Sequence, residues 1–236
     1  MKKLLAILCT VTMLCTCAAC SQKNPDPTQP TGETTPTYEI RDPQKDNAIP
    51  TDDLSRYATK TGQLTNYRVA VGYSSTTENV VTIILHDGKN QQTKRILHNT
   101  IKPDGSAVLD KKEDIRYVWS ENTQYVMNNG EEEKSNCNFT ESAAETTFAK
   151  TVNAVVCDGF YETITTNMAT ATYNIVKDCY ELNSMQFTHE NETLLFENVT
   201  IFISSEYIES IHCSNGTQEI TIELTGINDV DFGGTI

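Results

Sequence analysis

From Tyr67 to Leu224 apolar residues recur at every second position in short runs separated by turn-forming residues, the pattern of antiparallel strands with one dry face and one wet face. Ile220, Ile222 and Leu224 give it most cleanly, with Thr221 and Glu223 between them. Runs at Tyr67 to Tyr73, Asn79 to Leu85, Thr93 to Leu97, Ala107 to Leu109 and Tyr117 to Trp119 predict a β-meander, with Asp87-Gly88 and Asp104-Gly105 lying between runs as tight hairpin turns. A second set covers Phe160 to Thr165, Thr172 to Lys177, Tyr180 to Phe187, Leu194 to Phe196, Val199 to Ile203 and Tyr207 to His212. The period changes in two places. Thr51, ahead of Asp52 and Asp53, reads as a helix cap; Leu54, Tyr57 and Ala58 share one side, and Gly62 ends the turn. Within Glu141 to Val155, the residues Ala144, Phe148, Val152 and Val155 return at helical spacing behind Thr140. Asn128-Asn129-Gly130 followed by Glu131-Glu132-Glu133 reads as a charged surface turn.

The chain ahead of Thr51 has a different pattern. Lys2 and Lys3 precede a mostly apolar run from Leu4 to Leu14, which is the length of an export signal and too short to span about 30 Å of hydrocarbon. Cys17-Ala18-Ala19-Cys20 then sets two small residues before a cysteine and resembles the lipobox of bacterial lipoproteins. The resemblance implies a signal peptide over residues 1–19 and a diacylglyceryl group on Cys20 that holds the chain to the membrane. Cys17, where that pattern usually has leucine, leaves acylation of Cys17 as an alternative, and ordinary secretion after Ala19 as another. Residues 20–50 hold six of the seven prolines among Thr, Gln, Asn and Asp, which is the composition of an extended tether. Residues 51–236 then form a single domain, long enough to bury its own core.

The formal charge is -14, with 32 acidic against 18 basic residues, and loss of Lys2 and Lys3 with the signal makes the mature chain more negative still. Such a surface repels phosphate backbones, which argues against nucleic acid as a partner and against membrane contact other than through the acyl anchor. Two acyl chains suffice for that without a basic patch. Of eight cysteines, four stay with the domain: Cys137, Cys157, Cys179 and Cys213. In an exported protein four cysteines suggest two disulfides. If Phe160 to Thr165 and Thr172 to Lys177 pair through a turn at Met168, Cys157 falls opposite Cys179, leaving Cys137 for Cys213; buried free thiols are the alternative.

Catalytic signals are absent from the sequence: there is no GxSxG, HExxH or phosphate-cradling glycine loop, and no CxxC spacing among Cys137, Cys157, Cys179 and Cys213. His86, His98, His189 and His212 are scattered without metal-ligand spacing, so no metal and no cofactor is expected. The reading is of a protein that is not an enzyme.

The short helix before Leu64-Thr65-Asn66-Tyr67-Arg68-Val69, the Asp104-Gly105 turn leading to Asp114-Ile115-Arg116-Tyr117-Val118-Trp119, the mid-chain helix and the closing hairpins ending at Ile222 to Asn228 resemble the layout of exported LolA and LppX type lipoproteins. That resemblance implies an α+β fold, a strongly curved antiparallel β-sheet forming half a barrel with one or two helices on its concave face. It also implies a cavity between sheet and helix for lipid or another apolar ligand. Tyr73, Tyr117, Trp119, Phe148, Met168, Met185, Phe187 and Phe202 are the candidate lining, with a solid core made of the same residues as the alternative. The rival role is an interaction or sensor module that recognises protein or cell-wall material through sheet edges or loops.

Overall fold

Alternation of buried and wet residues is preserved along the central strands, and it fixes which face of the sheet is covered. The computed structural model describes residues 51–236 apart from 89, 129–130, 137–145, 190–191, 229, 231 and 233–236. The chain opens with α1 (Thr51–Gly62) and runs through a meander of β1 (Asn66–Ser74), β2 (Glu78–Asp87), β3 (Gln91–Ile101), β4 (Ala107–Val118), β5 (Thr123–Asn128) and β6 (Glu131–Asn136). Helices α2 (Phe148–Val155) and α3 (Phe160–Asn167) follow, then β7 (Thr172–Asn174), β8 (Cys179–Leu182), the hairpin β9 (Met185–His189) and β10 (Glu192–Phe196), and finally β11 (Asn198–Ser204), β12 (Tyr207–Ser214) and β13 (Glu219–Ile227).

Among the described residues, eleven strands form one sheet in the order β6-β5-β4-β3-β2-β1-β13-β12-β11-β8-β7, and β9 pairs only with β10. The last strand therefore closes onto the first, with Val69, Val71 and Tyr73 opposite Leu224, Ile222 and Ile220. The sheet is antiparallel, curved and not closed, an α+β half-barrel.

The covered face carries Tyr67, Val69 and Val71 of β1, Ile220, Ile222 and Leu224 of β13, Ile211 and Cys213 of β12, and Val199 and Ile201 of β11. Three described helices lie on it, more than the one or two expected. Leu54 and Ala58 of α1, Phe148 and Val152 of α2, and Phe160, Tyr161 and Ile164 of α3 join those strand residues in one core. Buried polar groups lock the layers because an unmade hydrogen bond here would cost about 1–3 kcal/mol. Thr61 Oγ1 accepts from the Ile208 amide at 2.9 Å, and Tyr161 OH donates to the Ala58 carbonyl at 2.9 Å. Tyr67 OH lies 2.5 Å from Thr151 Oγ1. A Cβ on Gly62 would sit 2.8 Å from the Tyr161 ring, so α1 and α3 meet where no side chain fits.

The structure corrects several sequence expectations. Phe160 to Thr165 is helical. Its dry residues Phe160, Tyr161, Ile164 and Met168 follow helical spacing, and Thr163, Thr165 and Thr166 donate their hydroxyls to the carbonyls four residues back. Gly159, at φ +72°, supplies the turn into it. Ala107 to Leu109 and Tyr117 to Val118 are ends of one strand, joined through the charged stretch from Asp110 to Arg116, and Trp119 opens the 3-10 turn Trp119–Glu121 that follows. Tyr180 to Phe187 divides between β8 and β9. Glu131 to Glu133 belongs to edge strand β6, where charge hinders pairing with another chain. The mid-chain helix is capped by Thr147, whose Oγ1 accepts from the Lys150 amide; Thr140 lies outside the described residues.

On the opposite face, Asp114 sits 2.5 Å from Arg95 and 3.4 Å from Lys112. Burial alone would raise its carboxyl, but the two cations outweigh that and hold it below the ordinary carboxylate range. A depressed carboxylate stabilises the fold above its unfolded value, near pH 4, and that stability is lost as pH falls through the folded value. Urea unfolding at pH 5 and pH 3 should therefore show a smaller acid loss for Asp114→Asn than for the parent chain.

Candidate functional site

Beyond the helices, the inner face continues across β2, β3 and β4, where the described residues form no solid cover. Register sets Tyr73 opposite Val80 and Val71 opposite Thr82, so these side chains share the dry side. With Ile220 of β13 they form the floor of a cleft of about 380 Å³. Val155, Val156 and Cys157, at the end of α2, form one wall, and Phe187 and Leu194 of the β9–β10 hairpin form another. Phe187 is held by Phe160 and Phe196 at ring distances of 4.6 and 5.9 Å, which anchors the hairpin to α3 and fixes that wall. Glu78 and Gln218 stand at its margin, with Glu78 3.0 Å from His98 and Gln218 donating to Tyr73 OH at 3.2 Å. The volume and the mostly apolar lining are those of a small-ligand pocket.

A second cleft of about 260 Å³ lies along the side of α2 toward β3 and β4. Its floor is Ile84, Gln92, Lys94, Tyr117 and Trp119, and its wall is Lys150, Thr151, Ala154 and Val155. The two clefts share Val155, and their floors adjoin on β2 at Thr82 and Ile84. Tyr117 and Trp119 lie nearly parallel, 11° apart with centroids at 6.3 Å. The indole donates to the Asp87 carbonyl at 3.1 Å, which fixes the ring in place. From Trp119 a row of ring contacts runs inward through His86, Tyr67 and Phe148 to Tyr161, at centroid distances between 5.2 and 6.0 Å. The buried His86 lies with Nδ1 3.0 Å from Gln92 Oε1, a carbonyl oxygen that can only accept, so the ring donates from that nitrogen.

Of the candidate lining residues, Tyr73 and Phe187 face the first cleft, and Tyr117 and Trp119 the second. Phe148, Met168 and Met185 do not line either; all three are buried in the core, where the helices and the hairpin consume them. Phe202 is on the other side of the sheet, since Val199 and Ile201 take the inner positions of β11, and it packs on His212 at 5.4 Å. Sequence reasoning missed Lys94, Lys150 and Val155. The inward position of Lys94 follows from register alone, because no apolar alternation marks Gln92, Lys94 and Ile96.

Cys157, Cys179 and Cys213 are free buried thiols. The hairpin that would oppose Cys157 and Cys179 does not form, because its first strand is α3; Cys179 pairs with Asn174 instead. Cys137 lies outside the described residues. Burial raises all three thiols, that of Cys213 to about 12, so none is held as a thiolate nucleophile.

No family model matches the chain, and no curated protein does. Among solved structures it is similar to LprF from Mycobacterium bovis, at 9% identity and a TM-score of 0.37, over 78% of this chain and 95% of that one. It is also similar to the Mycobacterium tuberculosis lipoprotein LppX, at 8% identity and a TM-score of 0.36, over 77% and 97%. At these values neither likeness assigns a ligand or a role. Among the described residues no helix is long and apolar enough to cross a membrane.

Proposed function

We propose that this is a bacterial surface lipoprotein, acylated on Cys20 and carried on the residue 20–50 tether, whose domain from 51 to 236 holds an amphiphile in the clefts beside α2. It acts by binding, without catalysis. The observation that carries the reading is the 380 Å³ cleft, which lies between the curved sheet and the end of α2 and is floored by Val71, Val80 and Ile220. Burying a hydrocarbon tail there removes apolar surface from water at about 25 cal/mol per Å². The two walls and the floor come from separate parts of the chain, and each is tied to the core, so little ordering is needed on binding.

Cys157 offers a direct test because it lines this cleft while Cys179 and Cys213 do not. Saturating dodecyl phosphate should slow alkylation of Cys157 severalfold, read by peptide mass mapping, and leave the rates at Cys179 and Cys213 unchanged. Equal rates with and without the amphiphile, together with no lipid released from the native protein by organic solvent, would remove the reading.

A further inference from the structure

The second cleft differs from the first in charge. Lys94 reaches it from β3 and Lys150 from α2, and neither makes an ion pair with a described residue. Several other cations are matched: Arg95 and Lys112 on Asp114, Arg116 with Glu132, Lys60 on Glu206, Lys177 on Glu181. Among the described residues no carboxylate lines the second cleft, whereas Glu78 stands at the margin of the first. The charge therefore runs from negative at one end of the joined space to positive at the other, with the apolar stretch between.

We infer that the ligand is a single-chain amphiphile with an anionic headgroup, phosphate or carboxylate, held between Lys94 and Lys150 over the Tyr117–Trp119 rings, with its tail passing Val155 into the larger cleft. This rests on the amphiphile reading of the same clefts. An ammonium group on the floor and another on the wall can each donate to one headgroup, and charge-assisted bonds of that kind are about twice as strong as neutral ones. Gln92 keeps its amide on the same floor as a further donor. The reverse orientation would set an anion beside Glu78, and a cationic headgroup would meet two lysines.

Trp119 is the chain's one tryptophan, so its emission reports on the second cleft alone. The full chain is titrated with dodecyl phosphate, dodecanol, dodecyltrimethylammonium and inorganic phosphate, each below its aggregation limit. Dodecyl phosphate should bind about tenfold tighter than dodecanol, with the other two weaker still. The Lys94→Gln, Lys150→Gln double variant should lose that tenfold advantage, keep its affinity for dodecanol and melt as the parent does. The advantage should also shrink at high salt, because these lysines are partly exposed. Equal binding of dodecanol and dodecyl phosphate, or an advantage that survives in the double variant, overturns the anionic headgroup and leaves the amphiphile reading standing. Inorganic phosphate binding as tightly as dodecyl phosphate also overturns it, since no tail would then be needed. If none of the three amphiphiles binds, the amphiphile reading itself fails and takes this inference with it.

Discussion

Phe148→Ala should cost the fold about 3–5 kcal/mol, the loss usual for removing a buried aromatic ring. Phe148 is 1% exposed and stands edge-on to Tyr67 and Tyr161, both rings at 5.6 Å and nearly perpendicular to it. It is also the first residue of α2, and its amide donates to the Leu64 carbonyl at 2.8 Å, so the side chain and backbone together dock the helix start on the entry to β1. The cavity left by alanine would lie where α1, α2, α3 and the sheet all meet, and no single element can move to fill it. Urea denaturation followed by far-UV circular dichroism measures the loss, and a cost under 1 kcal/mol would show that α2 is not docked in this way. Because Phe148 touches the Tyr67 ring, which stacks on His86 and so on Trp119, the variant should also change Trp119 emission before unfolding begins.

The fold was legible where one local rule acted alone. Ile220, Ile222 and Leu224 alternate because β13 has the core on one side and a wetter face on the other, and nothing in that segment competes. Asp104-Gly105 marks its hairpin because Gly105 takes φ +81°, a backbone that glycine adopts without cost. Where two rules compete, the local one misleads. Phe160 to Thr165 is rich in β-branched and aromatic residues and reads as a strand, yet Thr163, Thr165 and Thr166 are satisfied in a helix by hydroxyl bonds to the preceding turn, and tertiary burial of Ile164 and Met168 decides the outcome. That one segment also removed the geometric basis for joining Cys157 to Cys179. Charged strands were invisible for the opposite reason. β6 and the middle of β4 bury little, so no dry face shows in their sequence, and their backbone pairing with neighbours holds them.

The site divides along the same line. Tyr73, Phe187, Tyr117 and Trp119 could be found as aromatic residues on strands, but Phe148, Met168 and Met185 carry the same signal and serve the core. Which aromatic residues remain at a cleft depends on where α2 and the β9–β10 hairpin stop covering the sheet, and sequence period does not encode that. Lys94 and Lys150 are separated by 56 positions and meet only because β3 sits two strands from β1, which carries α2's docking residue Tyr67.

Filling the first cleft should abolish most of the binding while leaving the fold intact. Val80 lies on its floor and Val156 on its wall, both only partly buried, so Val80→Phe with Val156→Phe adds two rings to open space and avoids the strain of an overfilled core. If the rings deny the ligand on the order of 100 Å² of tail contact, the loss at about 25 cal/mol per Å² is about 2.5 kcal/mol, close to a hundredfold in affinity. Isothermal titration with dodecyl phosphate checks it, with the melting temperature as the control for folding. The contrast with the lysine variant separates the two halves of the ligand: removing Lys94 and Lys150 acts on the anion and spares dodecanol, whereas the two phenylalanines weaken both amphiphiles equally. A filled variant that still bound dodecyl phosphate as tightly as the parent would place the tail outside this cleft, because nothing else about the ligand's path past Val155 would have been changed.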